Sequence, residues 1–175
     1  MFFDTHAHLD YDLFDEDREA MIQRAFDGGV SCIVTIGTDV DSARRAIQLA
    51  ENYPNVYAAV GLHPTDARKF DEAMIDTFSQ MASHKKIVAI GEIGLDYYWK
   101  ETPPEIQHHV FRKMIRLAAE LNKPIIIHNR EASEAVLPIL ESWVKTLPDS
   151  LKERPGVLHS FSAPPEYAER ALAAG

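Results

Sequence analysis

Short apolar, β-branched runs alternate with longer amphipathic stretches six times along this chain. The runs are FFD (2–4), SCIVTIG (31–37), VYAAVGL (56–62), KIVAIGEIG (86–94), PIIIHN (124–129) and GVLHSF (156–161). Between them lie EDREAMIQRAFDGG (16–29), DVDSARRAIQLAENY (39–53), DEAMIDTFSQMASH (71–84), PPEIQHHVFRKMIRLAAELN (103–122), REASEAVLPILESWVKTL (130–147) and PPEYAERALAAG (164–175). In the fourth stretch, Val110, Met114, Leu117, Ala118 and Leu121 recur at three- and four-residue steps, the stripe of a helix buried on one side. DGG at 27–29 and LNKP at 121–124 carry helix stop signals, Gly or Asn with Pro to follow.

Runs as apolar as IVAI and PIIIH fit a parallel sheet covered on both faces. Their spacing is that of a βα unit, so the chain predicts six consecutive βα units over residues 1–175 as one domain. No G-x-G-x-x-G follows the first run. Instead polar residues stand at the C-terminal end of one strand after another: His6 and His8, the turn at 61–64, Glu92 to Asp96, His128 to Arg130, and His159. A barrel brings all these ends to one mouth, whereas the distant edges of an open sheet share no site. The expectation is therefore an α/β fold, a (β/α)₈ TIM barrel that stops after its sixth βα unit, since a full barrel takes about 250 residues. An arc of this kind leaves its first and sixth strands as unpaired edges, which invite aggregation or dimerisation.

Composition narrows the chemistry. A formal charge of −9 argues against a basic face coating duplex DNA, but not against a phosphodiester held at a local cationic centre such as a bound metal. Cys32 is the single cysteine, so there is no disulfide framework, and a buried, reduced strand cysteine in a cytoplasmic protein is expected. MFFDTHAHLD lacks a basic leader region, and no run is long enough for a membrane span.

Strand alternation places Asp4, His6 and His8 on one face, and two imidazoles so spaced suit one divalent ion. Taken alone, H-x-H is more often a pair of hydrogen-bonded or solvent-facing histidines than a metal grip. Glu92 ends a run that tolerates no buried carboxylate without a partner, whether a metal or a basic side chain. His128 and His159 emerge from apolar strands in the same way. Four histidines and a glutamate at the ends of strands one, four, five and six favour metal binding over coincidence.

In order, FFDTHAHLD, AAVGLHP, IGEIGLDYY, IIIHNREA and LHSFS closely resemble the TatD family of metal-dependent deoxyribonucleases, in its YcfH-type branch, over essentially the whole chain. The resemblance implies an amidohydrolase-like barrel with two divalent cations (zinc, manganese or magnesium) at its mouth. His6, His8 and Glu92 would hold the first, and Glu92 would bridge to the second, completed by His128 and His159. The family's aspartate after the seventh strand would lie beyond Gly175. LHSFSAPPE departs from the family, which often has Cys after this His and Gly after the second Ser; neither change removes a ligand.

The activity implied is exonucleolytic hydrolysis of single-stranded DNA or DNA ends, by water activated between two metals. His63, whose turn Pro64 fixes, and Arg130, on the phase of His128, are expected to contact substrate phosphate. Asp96 is expected at the substrate site, orienting a ligand histidine or pairing with Arg130. Of Tyr97, Tyr98 and Trp99, at least two are expected to pack against the rim, with base stacking as the other use. His108 and His109, adjacent on a helix, point ~100° apart and are read as surface residues. Two competing readings are metal-dependent amide or ester hydrolysis, for example of an aminoacyl-tRNA, and a non-catalytic, unfinished barrel.

Overall fold

A computed structural model describes residues 1–175, and each apolar run forms a strand parallel to its neighbours. In chain order these are β1 (Phe2–Ala7), α1 (Arg18–Asp27), β2 (Val30–Gly37), α2 (Val40–Asn52), β3 (Val56–Val60), α3 (Ala73–Ala82), β4 (Ile87–Asp96), α4 (Pro104–Glu120), β5 (Ile125–Arg130), α5 (Ser133–Val144), a one-turn α6 (Asp149–Lys152), β6 (Gly156–Leu158) and α7 (Pro165–Ala174). Short 3₁₀ turns at Asp12–Phe14 and Pro64–Lys69 follow β1 and β3.

The spatial strand order is β1-β2-β3-β4-β5-β6, every pair parallel. A doubly wound sheet must reverse its order at a switch point; this one never does, and it therefore curls as part of a barrel. The curl is visible at its ends. The His6 ring, on β1, stacks on the His159 ring, just past β6, with centroids 3.8 Å apart and planes 6° from parallel. Below them β1 and β6 face each other, without hydrogen bonds, across a cavity of about 570 Å³.

The main core lies between the outside of the arc and its helices. From α4 it takes Val110, Phe111, Met114, Leu117 and Ala118, the stripe the periodicity predicts. Inside the arc a smaller cluster joins Ile36, Ala59, Ala89 and Ile126, one from each of four adjacent strands. Alanines there leave room for the curve.

Helix ends follow local chemistry. Asp39 caps α2 by accepting from the Ser42 N–H at 2.7 Å, while the Ser42 hydroxyl accepts from the Asp39 N–H at 2.9 Å, a reciprocal pair worth about 1 kcal/mol. α1 stops at Gly28, and after α4 Asn122 takes the left-handed conformation at φ 52°, as the stop signals predict.

Three expectations change. β1 extends to Ala7, because pairing with β2, rather than burial, carries it: Phe2 and Phe3 remain 68% and 65% exposed. β6 stops at Leu158, so His159 follows the strand, although its N–H still donates to the Ile127 carbonyl at 3.2 Å. Cys32 is half-buried rather than buried, and that burial pushes its thiol above the ordinary range.

Candidate metal centre

The mouth of the arc is organised around one carboxylate. Glu92 is 2% exposed, yet it faces five imidazoles. Its Oε2 lies 3.3 Å from His6 Nε2 and 3.9 Å from His8 Nε2. Its Oε1 lies 2.6 Å from His159 Nε2, 2.7 Å from His128 Nδ1 and 3.8 Å from His63 Nε2. The two histidines on one oxygen and His128 and His159 on the other are the division the resemblance implies. Grouped by mutual distance alone, the donors sort differently: His6, Glu92 and His159 form one set within 4.8 Å, and His63, Glu92 and His128 another.

Strand irregularities aim these side chains. β1 and β2 slip register between Asp4 and Ala7, which carries His6 out of simple alternation. A second slip, between Ile90 and Ile93 on β4, contains Glu92. Such bulges re-aim side chains beside active sites. Asp4 lines the same cavity as His6 and His8, and its Oδ1 accepts the backbone N–H of His6 at 3.1 Å.

Burial would push the Glu92 carboxyl up, but hydrogen bonds from His128, His159 and His6 outweigh it and hold the group well below the usual carboxylate range. His8 is lowered, by burial first and by neighbouring His6 second, so it is neutral near pH 7. Its Nε2 sits 3.2 Å from that of His6. Two ligands each about 2.0–2.1 Å from a tetrahedral ion would stand about 3.3 Å apart. Two imidazole nitrogens converging beside a buried carboxylate at this spacing form a donor set that a cation would suit. The residues fit the metal.

His128 shows how a partner chooses the nitrogen. Asp96 can only accept, so the contact of His128 Nε2 with Asp96 Oδ2 at 2.8 Å places a proton on Nε2; Nδ1, which donates to Glu92 Oε1 at 2.7 Å, is the nitrogen that would give up its proton to hold a cation. Burial lowers the His128 pKa, but the bonds to Glu92 and Asp96 outweigh it and raise the group. Of the two partners expected of Asp96, a histidine and Arg130, the structure pairs it with the histidine. Arg130 is not its partner; the guanidinium lies over the Tyr98 ring.

His63 stands within the donor ring, but its hydrogen bonds give it another character. Its Nδ1 accepts the Thr65 backbone N–H at 3.3 Å and lies 2.6 Å from Thr65 Oγ1. An N–H can only donate, which leaves the His63 proton on Nε2, aimed at His128 3.1 Å away. Burial, then neighbouring His128, pushes its pKa down to about 4. It is a neutral donor at the mouth.

Two positioning residues escape sequence reasoning. Thr65 fixes the His63 ring. Gln107, 1% exposed, accepts the Asp96 N–H at 2.7 Å and donates to the carbonyls of Asp96 and Thr102, both at 2.8 Å. A signal existed: Gln107 occupies the buried stripe of α4, three residues before Val110, where an amide needs a reason. His108 is likewise not a free surface group, since the Tyr97 hydroxyl lies 2.6 Å from its Nε2. Rim packing also fails for two of the three aromatics: Tyr97 packs on the core, while Tyr98 and Trp99 are 45% and 48% exposed.

An uninterrupted parallel arc, with one buried carboxylate and a ring of imidazoles at its strand ends, defines a barrel-type protein with a cation-competent centre. The family described as TatD related DNase matches residues 3–175, and the chain belongs to it. It is 42% identical over 172 residues to the uncharacterized metal-dependent hydrolase YabD of Bacillus subtilis, covering 98% of this chain and 65% of that one. It is 33% identical over 173 residues to the 3'-5' ssDNA/RNA exonuclease TatD of Escherichia coli K12, covering 99% and 64%. Among solved structures, YjjV, a TatD homologue from Escherichia coli, superposes with a TM-score of 0.88 at 34% identity, covering 99% of this chain and 65% of that one. The chain thus spans just under two thirds of the relatives it matches.

Asp96→Asn keeps the shape but offers one acceptor oxygen where two are used, by His128 on one side and the Tyr98 and Trp99 N–H groups on the other. Its expected effect is a cation affinity about 10–100-fold weaker, by calorimetric titration with Mn²⁺, with an unchanged circular dichroism spectrum.

Proposed function

We propose that this chain carries the cation centre of a nuclease that hydrolyses phosphodiester bonds of single-stranded DNA from its ends. The observation that carries the reading is the divided Glu92 carboxylate, two imidazoles on one oxygen and two on the other, with a neutral N–H donor beside them. His6, His8 and Glu92 hold one divalent cation in this reading, and Glu92, His128 and His159 the second. The nitrogen-rich donor set suits zinc or manganese better than magnesium. When bound, such cations neutralise phosphate charge and lower the pKa of water, giving a nucleophile at neutral pH.

The chain's own groups do the rest. His63 donates its Nε2–H to a phosphate oxygen, a role its depressed pKa leaves independent of pH above about 5. Arg130 offers the planar fork that phosphate oxygens match. Asp96 keeps the proton of His128 on the outer nitrogen. Between the ends of β5 and β6, a cavity of about 600 Å³, lined by Tyr97, Asn129, Ser133, Ser162 and Tyr167 among others, gives a strand room to enter. The name of the Escherichia coli relative, a 3'-5' exonuclease of single-stranded DNA and RNA, supports both bond type and direction.

The test is cleavage of a 5'-labelled oligodeoxynucleotide by protein stripped of metal and reloaded with Mn²⁺ or Zn²⁺. Stepwise shortening from the 3' end is expected, abolished by chelation. His63→Ala and Arg130→Ala should each slow cleavage about tenfold or more while leaving cation affinity within about twofold. Cleavage that survives exhaustive chelation, or faster turnover of an amide or ester panel including aminoacyl-tRNA, overturns the proposal.

A further inference from the structure

Two large aromatic side chains stand half in solvent at the mouth, two and three residues after the end of β4. Tyr98 and Trp99 meet edge to face, with centroids 4.9 Å apart and planes at 90°. From the end of β5, the guanidinium of Arg130 lies 3.9 Å from the centre of the Tyr98 ring and 5.7 Å from that of Trp99. The guanidinium is exposed and its edge is free of any carboxylate.

This cluster is tied to the metal centre. One oxygen of Asp96, Oδ1, accepts the backbone N–H groups of Tyr98 and Trp99 at 3.0 and 2.8 Å. The other, Oδ2, accepts from His128 at 2.8 Å. Gln107 clamps the Asp96 backbone on both its N–H and its carbonyl. A single buried carboxylate therefore sets the position of the aromatic pair relative to a ligand histidine. Packing alone asks for no such link. A surface that must hold part of a substrate in register with the reacting bond does.

We propose that Tyr98, Trp99 and Arg130 form a stacking shelf for one unpaired base of the polynucleotide, next to the phosphodiester at the centre. The shelf rests on the phosphodiesterase reading and gives it its preference for single strands. Every base offers a π-face, and it is free to stack on a protein ring only when unpaired. The acidic chain supports the assignment, since at a formal −9 it has no long-range pull on a polyanion and must gain affinity from local contacts. Arg130, held over the Tyr98 ring, serves twice: it steadies that ring and offers its remaining N–H groups to the adjoining phosphate.

The experiment uses a phosphorothioate-linked oligothymidylate with 2-aminopurine near its 3' end, and a matched strand abasic at that position. Wild-type protein loaded with Mn²⁺ is expected to quench the 2-aminopurine on binding, and to bind the abasic strand about tenfold or more weaker. Trp99→Ala and Tyr98→Ala should abolish the quench and remove the preference for the base. Trp99→Ala, which leaves Tyr98 under Arg130, should weaken binding of the abasic strand far less than binding of the 2-aminopurine strand. Trp99→Phe should restore quenching. Equal wild-type affinity for the two strands, quenching that survives Trp99→Ala, or no binding of either strand overturns the shelf. Failure of the phosphodiesterase reading looks different: the base stacks and is quenched, yet the phosphodiester strand is never cut with any divalent cation.

Discussion

Replacing Glu92 with glutamine is expected to lower cation affinity by about 100-fold or more and cleavage by about 1000-fold. The substitution keeps volume and shape, so it isolates charge. In the native site one buried carboxylate is the only anion facing five imidazoles, with both oxygens engaged. Glutamine provides one acceptor where two are used, and turns an amide donor toward nitrogens that should be offering lone pairs. Calorimetric titration with Mn²⁺ measures the first effect and oligonucleotide cleavage the second; affinity within tenfold of wild type would contradict the arrangement. Proton linkage adds a check on the metal-free protein. The Glu92 carboxyl is held below its unfolded value, so its contribution to stability is present above about pH 4.3 and is lost as the pH falls below it. The stability gap between wild type and Glu92→Gln in urea should accordingly be widest near neutrality and narrow in acid.

The second large effect concerns backbone. Gly94 has φ of 148°, a conformation side chains rarely adopt, and a Cβ added there would lie 2.0 Å from the carbonyl oxygen of His128 and 3.1 Å from its nitrogen. Both obstacles are main chain in the paired strand, so neither can swing away. Gly94→Ala must separate β4 from β5 at the residue that presents an imidazole to the centre. A loss of about 3 kcal/mol or more is expected, seen as a melting temperature lower by about 6–12 °C, with cation binding weakened together with it. Gly28→Ala is the control. At φ −74° its new Cβ would come no closer than 3.2 Å to a carbonyl at an exposed helix end, and the fold should accept it with a change of about 0.5 kcal/mol or less.

Much of this was legible because strand runs buried on both faces, such as IVAI and PIIIH, have no other stable use, and because polar residues at their ends stand out against them. The donors His6, His8, Glu92, His128 and His159 are visible for that reason. What stayed hidden depends on hydrogen-bond partners and backbone geometry that the order of residues does not display. Which nitrogen of His128 holds a proton is set by Asp96, 32 residues away. The character of His63 is set by the N–H two residues further on, which no pattern of side chains encodes. The register slip of the first strand is hidden too, since it is decided by its neighbour rather than by its own letters. Arg130 was legible as a cation at the mouth but not as one laid over an aromatic ring; that needs the turn after Asp96 to bring Tyr98 beneath it.

At the mouth, the first and last strands of the arc touch through imidazoles instead of backbone: His6 lies flat on His159. An ion seated among these rings and Glu92 would act as a clasp between the two strand ends. The distance between those ends and the spacing of the donors are then one variable, so that anything shifting one strand end against the other also tunes the grip on the ion.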